Sequence, residues 1–265
     1  MEMQVKIRGE DASWEVVRET LDKRRGFSGS QITITDREEL GPVGVSVERA
    51  LGEEMYLHTL GWSRVPRKLF SRWSRWYQEI DDVQFFRLFP EEENLASARR
   101  LAARTEAFIL GYPNDGRYYR EWQSTVVLLK PIGASIFQAK SDCKALWAIQ
   151  LNSTPEGHIK LNHRRGDDCI VAKPDIGEPV HLRVLDNGLE YRVFVNHKEV
   201  GSGRYFRDPK HRTKFRWGFY VGSTRVRQEG LIAFSGTTVR MHRRDRPRGM
   251  HRILNAIRAR RSRDD

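Results

Sequence analysis

The stretch KFRWGFY, Lys214 to Tyr220, constrains the fold more than any other part of this chain. Its residues alternate. Phe215, Trp217 and Phe219 form one aromatic face, suited to a core, while Lys214, Arg216, Gly218 and Tyr220 form the other. A half-buried strand normally carries bland polar residues outward. This one carries two cations, a gap left by glycine, and a phenol. Such groups hold an anion and move a proton.

The texture around this strand points the same way. From about residue 99, alternating β-branched and aromatic runs recur between turn signals. The runs are Arg104 to Leu110, Trp122 to Leu129, Ser135 to Ala139, Ala145 to Leu151, His158 to Asn162, Pro179 to Leu185, Tyr191 to Asn196, Lys214 to Val221 and Leu231 to Val239. Asp186-Asn187-Gly188 is a hairpin turn signal. Many short strands with such turns predict a mostly β protein, an antiparallel β-sandwich or jelly roll. The expected division is an N-terminal segment (1–98) packed on the sandwich, a jelly-roll core (99–242) and a basic tail (243–265).

The N-terminal segment mixes signals. Met3 to Arg8 and Gln31 to Thr35 read as strands, and Val43 to Val47 as a short strand or turn. Trp14, Val17 and Leu21 have the spacing of a short helix, with Ser13 as its cap. In RKLFSRWSRWYQEI, Phe70, Trp73 and Tyr77 share a face at helical spacing. A small helical or turn-rich lobe is expected there.

Charge narrows the partners. The 265 residues carry a net +12, which favours an anionic partner such as an acidic glycan, a nucleic acid or a membrane surface. From Arg240 onward there are ten arginines against three aspartates, so this end of the chain supplies +7. It suits binding of nucleic acid or another polyanion, a solvated tail, or a surface helix in which Ile253, Leu254 and Ile257 share a face. Cys143 and Cys169 lack CxxC or histidine spacing, which argues against structural zinc; no metal or cofactor is expected. No apolar run approaches the length of a membrane span. The polar N-terminus does not read as a secretion signal. The expectation is a cytoplasmic chain with reduced thiols, or one associated with a phage or virus. The oligomeric state is open.

Two more strands share the character of Lys214 to Tyr220. Arg104 and Glu106 sit two apart, on one face of their strand. They read either as a surface ion pair or as an arginine held rigid to grip a carboxylate. Gln138 and Lys140 likewise share a face at the end of an apolar strand.

In this order, the three pieces resemble the alginate-lyase-like polysaccharide lyases with a concanavalin-like jelly roll. That family carries Arg-Ser/Thr-Glu, then Gln-Ile-His, then Tyr-Phe-Lys-x-Gly-x-Tyr. This chain has Arg104-Thr105-Glu106, Gln138-Ala139-Lys140 and Lys214-Phe215-Arg216-Trp217-Gly218-Phe219-Tyr220. The resemblance covers roughly residues 100 to 240. It implies binding of an acidic polysaccharide and cleavage of uronate linkages by β-elimination. Arg104 and Gln138 match the groups that neutralise the carboxylate. Tyr220 matches the tyrosine that moves protons. Arg216, Lys214 and Glu106 are the expected substrate-binding residues. Lys140 stands where the family has its histidine, so it is the candidate base and the largest departure. His158, His163, His181 and His197 are the alternative imidazoles for that role, though each reads first as solvated or packed. The competing expectation is a non-enzymatic sandwich that binds or assembles and uses its basic tail.

Overall fold

The computed structural model describes residues 43–49, 55–59, 62–80, 83–91, 103–113, 116, 118–141, 145–151, 158–163, 169–204, 212–222 and 226–244. The strand expectations for Met3 to Arg8 and Gln31 to Thr35, the helix from Trp14, the tail beyond Arg244 and Cys143 lie outside these residues. Cys169 is a free thiol.

Among the described residues seventeen strands are arranged in two sheets. In chain order they are β1 (Val43–Arg49), β2 (Met55–Thr59), β3 (Trp62–Pro66), β4 (Tyr77–Ile80), β5 (Val83–Leu88), β6 (Arg104–Ile109), β7 (Tyr112–Pro113), β8 (Tyr118–Lys130) and β9 (Ala134–Lys140). They continue as β10 (Ala145–Leu151), β11 (Ile159–His163), β12 (Cys169–Ala172), β13 (Pro179–Asp186), β14 (Glu190–Val195), β15 (Lys198–Arg204), β16 (Arg212–Tyr220) and β17 (Gly230–Arg244). The eight-stranded sheet runs β15-β14-β13-β8-β17-β5-β4, with β1 also on β17. The nine-stranded sheet runs β12-β11-β10-β9-β16-β6-β2-β3, with β7 also on β16. Every pairing is antiparallel, as between β16 and its neighbours β6 and β9. This is the predicted antiparallel sandwich.

The core lies between the sheets and is strongly aromatic. Trp122 of β8 meets Phe137 of β9 at 4.7 Å and Trp217 of β16 at 6.3 Å between ring centroids. Phe215, Trp217 and Phe219 are all buried in this core, as the alternation of β16 requires. The Trp217 indole N–H donates to Gln84 Oε1 at 2.9 Å, and Gln84 Nε2 donates to the Tyr77 hydroxyl at 3.0 Å. A buried polar ring edge is thereby satisfied, which fixes β4 and β5 beneath β16.

Two expectations need correction. RKLFSRWSRWYQEI is not one helix. A 3-10 helix spans Arg67–Trp73, and Tyr77 begins a strand. The reason is tertiary: Tyr77 pairs with Phe86 across the β4–β5 hairpin and packs edge-on to it at 5.0 Å. Phe70 still reaches Tyr77, at 5.2 Å. Nor does Gly218 leave open space. Its φ is +114°, and an added Cβ would lie 2.5 Å from the Thr105 carbonyl oxygen and 2.6 Å from Phe86. The register of β16 against β9 shifts between Trp217 and Tyr220, so the glycine occupies a bulge. Gly218→Ala is therefore expected to cost at least about 1–3 kcal/mol, the range for a strained backbone, read as a lower urea midpoint at unchanged slope.

Candidate functional site

The outer face of the nine-stranded sheet is built by cross-strand register. Tyr220 lies opposite Arg104, Gly218 opposite Glu106, and Arg216 opposite Phe108. On the other side Arg216 lies opposite Gln138, Lys214 opposite Lys140, and Tyr220 opposite Ser135. Arg104, Glu106, Gln138, Lys140, Lys214, Arg216 and Tyr220 thus occupy three adjacent strands.

Glu106 is the hub. It is 1% exposed. Its Oε1 accepts from Gln138 Nε2 at 2.8 Å, and its Oε2 accepts from Arg216 Nη1 at 3.3 Å. Arg104 Nη1 lies 3.6 Å from the same Oε2. One carboxylate thus orders an amide and two guanidiniums. Its oxygens are engaged by protein donors. Both arginines are 8% exposed, and each keeps a buried Nε with no partner among the described residues. These two sealed donors are unspent within the described residues.

Tyr220 is half-buried, with the Arg104 guanidinium 4.5 Å from its ring centre. Arg216 lies over Phe108 at 4.8 Å, and Phe108 stacks on Tyr56 at 5.6 Å. Lys140 is half-buried, and its amine is held below the ordinary lysine range. Burial is the larger cause; the positive charges of Arg216, Arg104 and Lys214 add to it and Glu106 opposes.

The sequence reading overlooked His58. It sits on β2 opposite Glu106, and its Nδ1 lies 3.0 Å from Arg216 Nη1. Burial, then Arg104, Arg216 and Lys140, push its pKa down to about 2. The only available signal was the alternation in MYLHT, where Met55, Leu57 and Thr59 are buried and Tyr56 and His58 point outward. Of the imidazoles considered from sequence, His181 stacks on His197 at 4.6 Å. His181 belongs to β13 in the other sheet, so this pair stands apart from the face described here.

Burial holds the His181 pKa at about 4, helped by His197 and Arg183. His58 and His181 are thus neutral when folded, while the unfolded chain takes up protons below about pH 6.5. The sign follows. The stability these residues confer is complete above pH 6.5 and is lost as pH falls toward the folded values. Thermal melts are expected to show Tm falling between about pH 6.5 and about pH 4, and falling less in His181→Phe.

The row through Tyr220 extends further. Ser135 lies opposite Gln150, which lies opposite Lys160 on β11. Gln150 Nε2 donates to Ser135 Oγ, and Asn162 Nδ2 donates to Gln150 Oε1, each at 3.3 Å. From Arg104 to Lys160 five strands therefore present polar side chains in line. Among the described residues no group of three or more His, Cys, Asp or Glu side chains is placed to hold a metal ion, and no helix is long and apolar enough to cross a membrane.

No family model matches the chain, and no curated protein matches its sequence. Solved structures do match. An alginate lyase from Pseudomonas aeruginosa aligns with a TM-score of 0.57 at 16% identity, over 71% of this chain and 97% of that one. The alginate lyase AlgAT5, from polysaccharide lyase family 7, aligns with a TM-score of 0.55 at 13% identity, over 71% and 94%. A variant of the family 7 alginate lyase A1-II′, solved in complex with substrate (GGMG), aligns with a TM-score of 0.51 at 11% identity, over 65% and 84%. At these identities the likeness is one of fold: this chain has the jelly roll of the alginate lyases.

Proposed function

We propose that this protein binds an acidic polysaccharide across the outer face of its nine-stranded sheet and cleaves it by β-elimination. One observation carries the reading: Arg104, Arg216 and Gln138 are gathered on the buried Glu106, beside Tyr220 and an amine whose charge is disfavoured. Two arginines share the one Glu106 carboxylate, so the face keeps a positive excess. Strands lie about 4.8 Å apart, comparable with one sugar unit, so a glycan laid across them meets a fresh side chain at each strand. The fold shared with alginate lyases, one of them solved with its substrate, supports the same class of ligand.

The chemistry follows from the groups. A uronate carboxylate bound by Arg104 and Gln138 is neutralised, which acidifies the neighbouring C5 proton. Lys140, as the free amine, takes that proton. The electron pair forms the C4=C5 double bond as the C4–O4 bond breaks, and the Tyr220 hydroxyl protonates the departing O4. No water is consumed. Glu106 holds the donors in place, and Arg216 and Lys214 meet neighbouring acidic units.

The test is direct, because the unsaturated uronate product absorbs in the ultraviolet. Mixing the protein with alginate or polyglucuronate is expected to raise that absorbance with time. A protein that retains the polymer on a column yet never produces the chromophore is a binder and not a lyase. One that does neither ends the reading.

A further inference from the structure

His58 has no counterpart in the three motifs, yet it touches the centre of the face. Arg216 is a guanidinium and can only donate hydrogen bonds, so the His58 Nδ1 at 3.0 Å must accept. An accepting Nδ1 carries no proton. The neutral ring then carries its hydrogen on Nε2. No described residue takes up Nε2, and it is not among the sealed polar atoms, so it faces outward from a half-buried ring. Arg216 Nη1 is thus shared between two acceptors, His58 Nδ1 and Glu106 Oε2. The groups facing the imidazole are Arg216 from β16, Arg104 and Glu106 from β6 and Lys140 from β9. Burial first, then the charges of these basic groups, keep it uncharged, so it accepts from a guanidinium without adding a charge of its own.

We propose that His58 is a positioning residue of this face: as a neutral imidazole it fixes Arg216 through Nδ1 and presents its Nε2–H to the bound glycan. This rests on the reading of the face as an acidic-glycan site. It assigns β2 a part in recognition and separates two tasks, proton removal at Lys140 and orientation of Arg216 at His58. A positioning imidazole differs from a base in its exchangeability: any neutral group with an acceptor inward and a donor outward does the same work.

The experiment compares His58→Phe with His58→Gln. Phenylalanine keeps the ring volume but loses both polar atoms. Glutamine restores an acceptor for Arg216 and a donor for the ligand. His58→Phe is expected to weaken binding of a polyuronate by about 10- to 100-fold, the worth of a hydrogen bond to a charged group. The loss should fall on KM more than on kcat, with the pH profile of turnover unmoved, and His58→Gln should recover most of it. Nitrogen NMR of the wild-type imidazole supplies a readout independent of turnover and of variant folding. It is expected to show an unprotonated Nδ1, a protonated Nε2 and no titration near pH 6.5. Wild-type affinity in a folded His58→Phe, a protonated Nδ1, or ordinary titration overturns the proposal. So does loss of kcat in both variants with a changed pH profile, which makes His58 the base. If the wild type forms no chromophore, the elimination reading fails alone, because binding and the NMR signals still report on His58.

Discussion

Lys140→Ala is expected to lower the rate of uronate cleavage by about 10²–10⁴-fold, the usual worth of a positioned proton acceptor, while glycan binding stays within a few-fold of wild type. Binding persists because Arg104, Gln138 and Arg216 remain ordered by Glu106. The wild-type pH profile follows from the same amine. Only the uncharged form accepts a proton, so turnover rises as pH climbs through the Lys140 pKa. That pKa lies below the ordinary lysine value of 10.5, because burial and the charges of Arg216, Arg104 and Lys214 outweigh Glu106. The rising limb should therefore begin at lower pH than an unperturbed lysine would give. Lys140→His is expected to move the limb further toward neutrality. Product absorbance for the three proteins between about pH 6 and about pH 10 measures all of this, since that range spans the reference histidine and lysine values. A Lys140→Ala protein that turns over like wild type removes Lys140 from the chemistry.

How far the site was legible depends on which strands alternate apolar residues with charged or amide ones. β16, β6 and β9 alternate, with core residues inward and charged or amide residues outward, so Arg104, Gln138, Arg216 and Tyr220 could be placed on one face from periodicity. β5 could not be read so easily. VQFFRL is buried along its whole length like β6, but its adjacent Phe85 and Phe86 break the alternation, so its pattern does not separate two faces. The short strands β12 and β15 escaped notice for another reason. CIVA has four residues, and KEVGSGR carries two glycines that weaken any strand signal. His58 was hidden because its strand has five residues and stands beside an aromatic, arginine-rich stretch with helical spacing. Gly218 was visible, but its purpose was not: the sequence shows a missing side chain, and only the bulge and the nearby Phe86 explain why one cannot fit.

The largest expected loss of stability lies away from the face. Asp186→Ala is expected to destabilise the fold by about 3–5 kcal/mol, a large share of the roughly 5–15 kcal/mol that holds a domain together. Asp186 and Arg120 are both essentially inaccessible to solvent. Arg120 Nη2 donates to Asp186 Oδ1 at 3.0 Å, and Arg120 Nη1 donates to the Thr213 carbonyl at 3.1 Å. The Trp147 indole N–H reaches Asp186 Oδ2 at 3.4 Å, and the Gly188 amide donates to Oδ1 at 2.8 Å. The pair thus joins β8 and β13 of one sheet to β10 and β16 of the other, and it pins the β13–β14 turn. Removing the carboxylate leaves a guanidinium buried without its counter-charge, which costs more than the pair contributes when intact. Arg120→Met in the Asp186→Ala background is therefore expected to recover part of the loss, and a double-mutant cycle by urea unfolding should show strong coupling. Thr213 precedes Lys214 directly, so a loosened Arg120 also frees the start of the strand that carries Arg216 and Tyr220. Asp186→Ala should consequently weaken glycan binding even at temperatures where it remains folded. A single variant within about 1 kcal/mol of wild type, or additive behaviour in the cycle, would show that the ion pair does not clamp the sheets together.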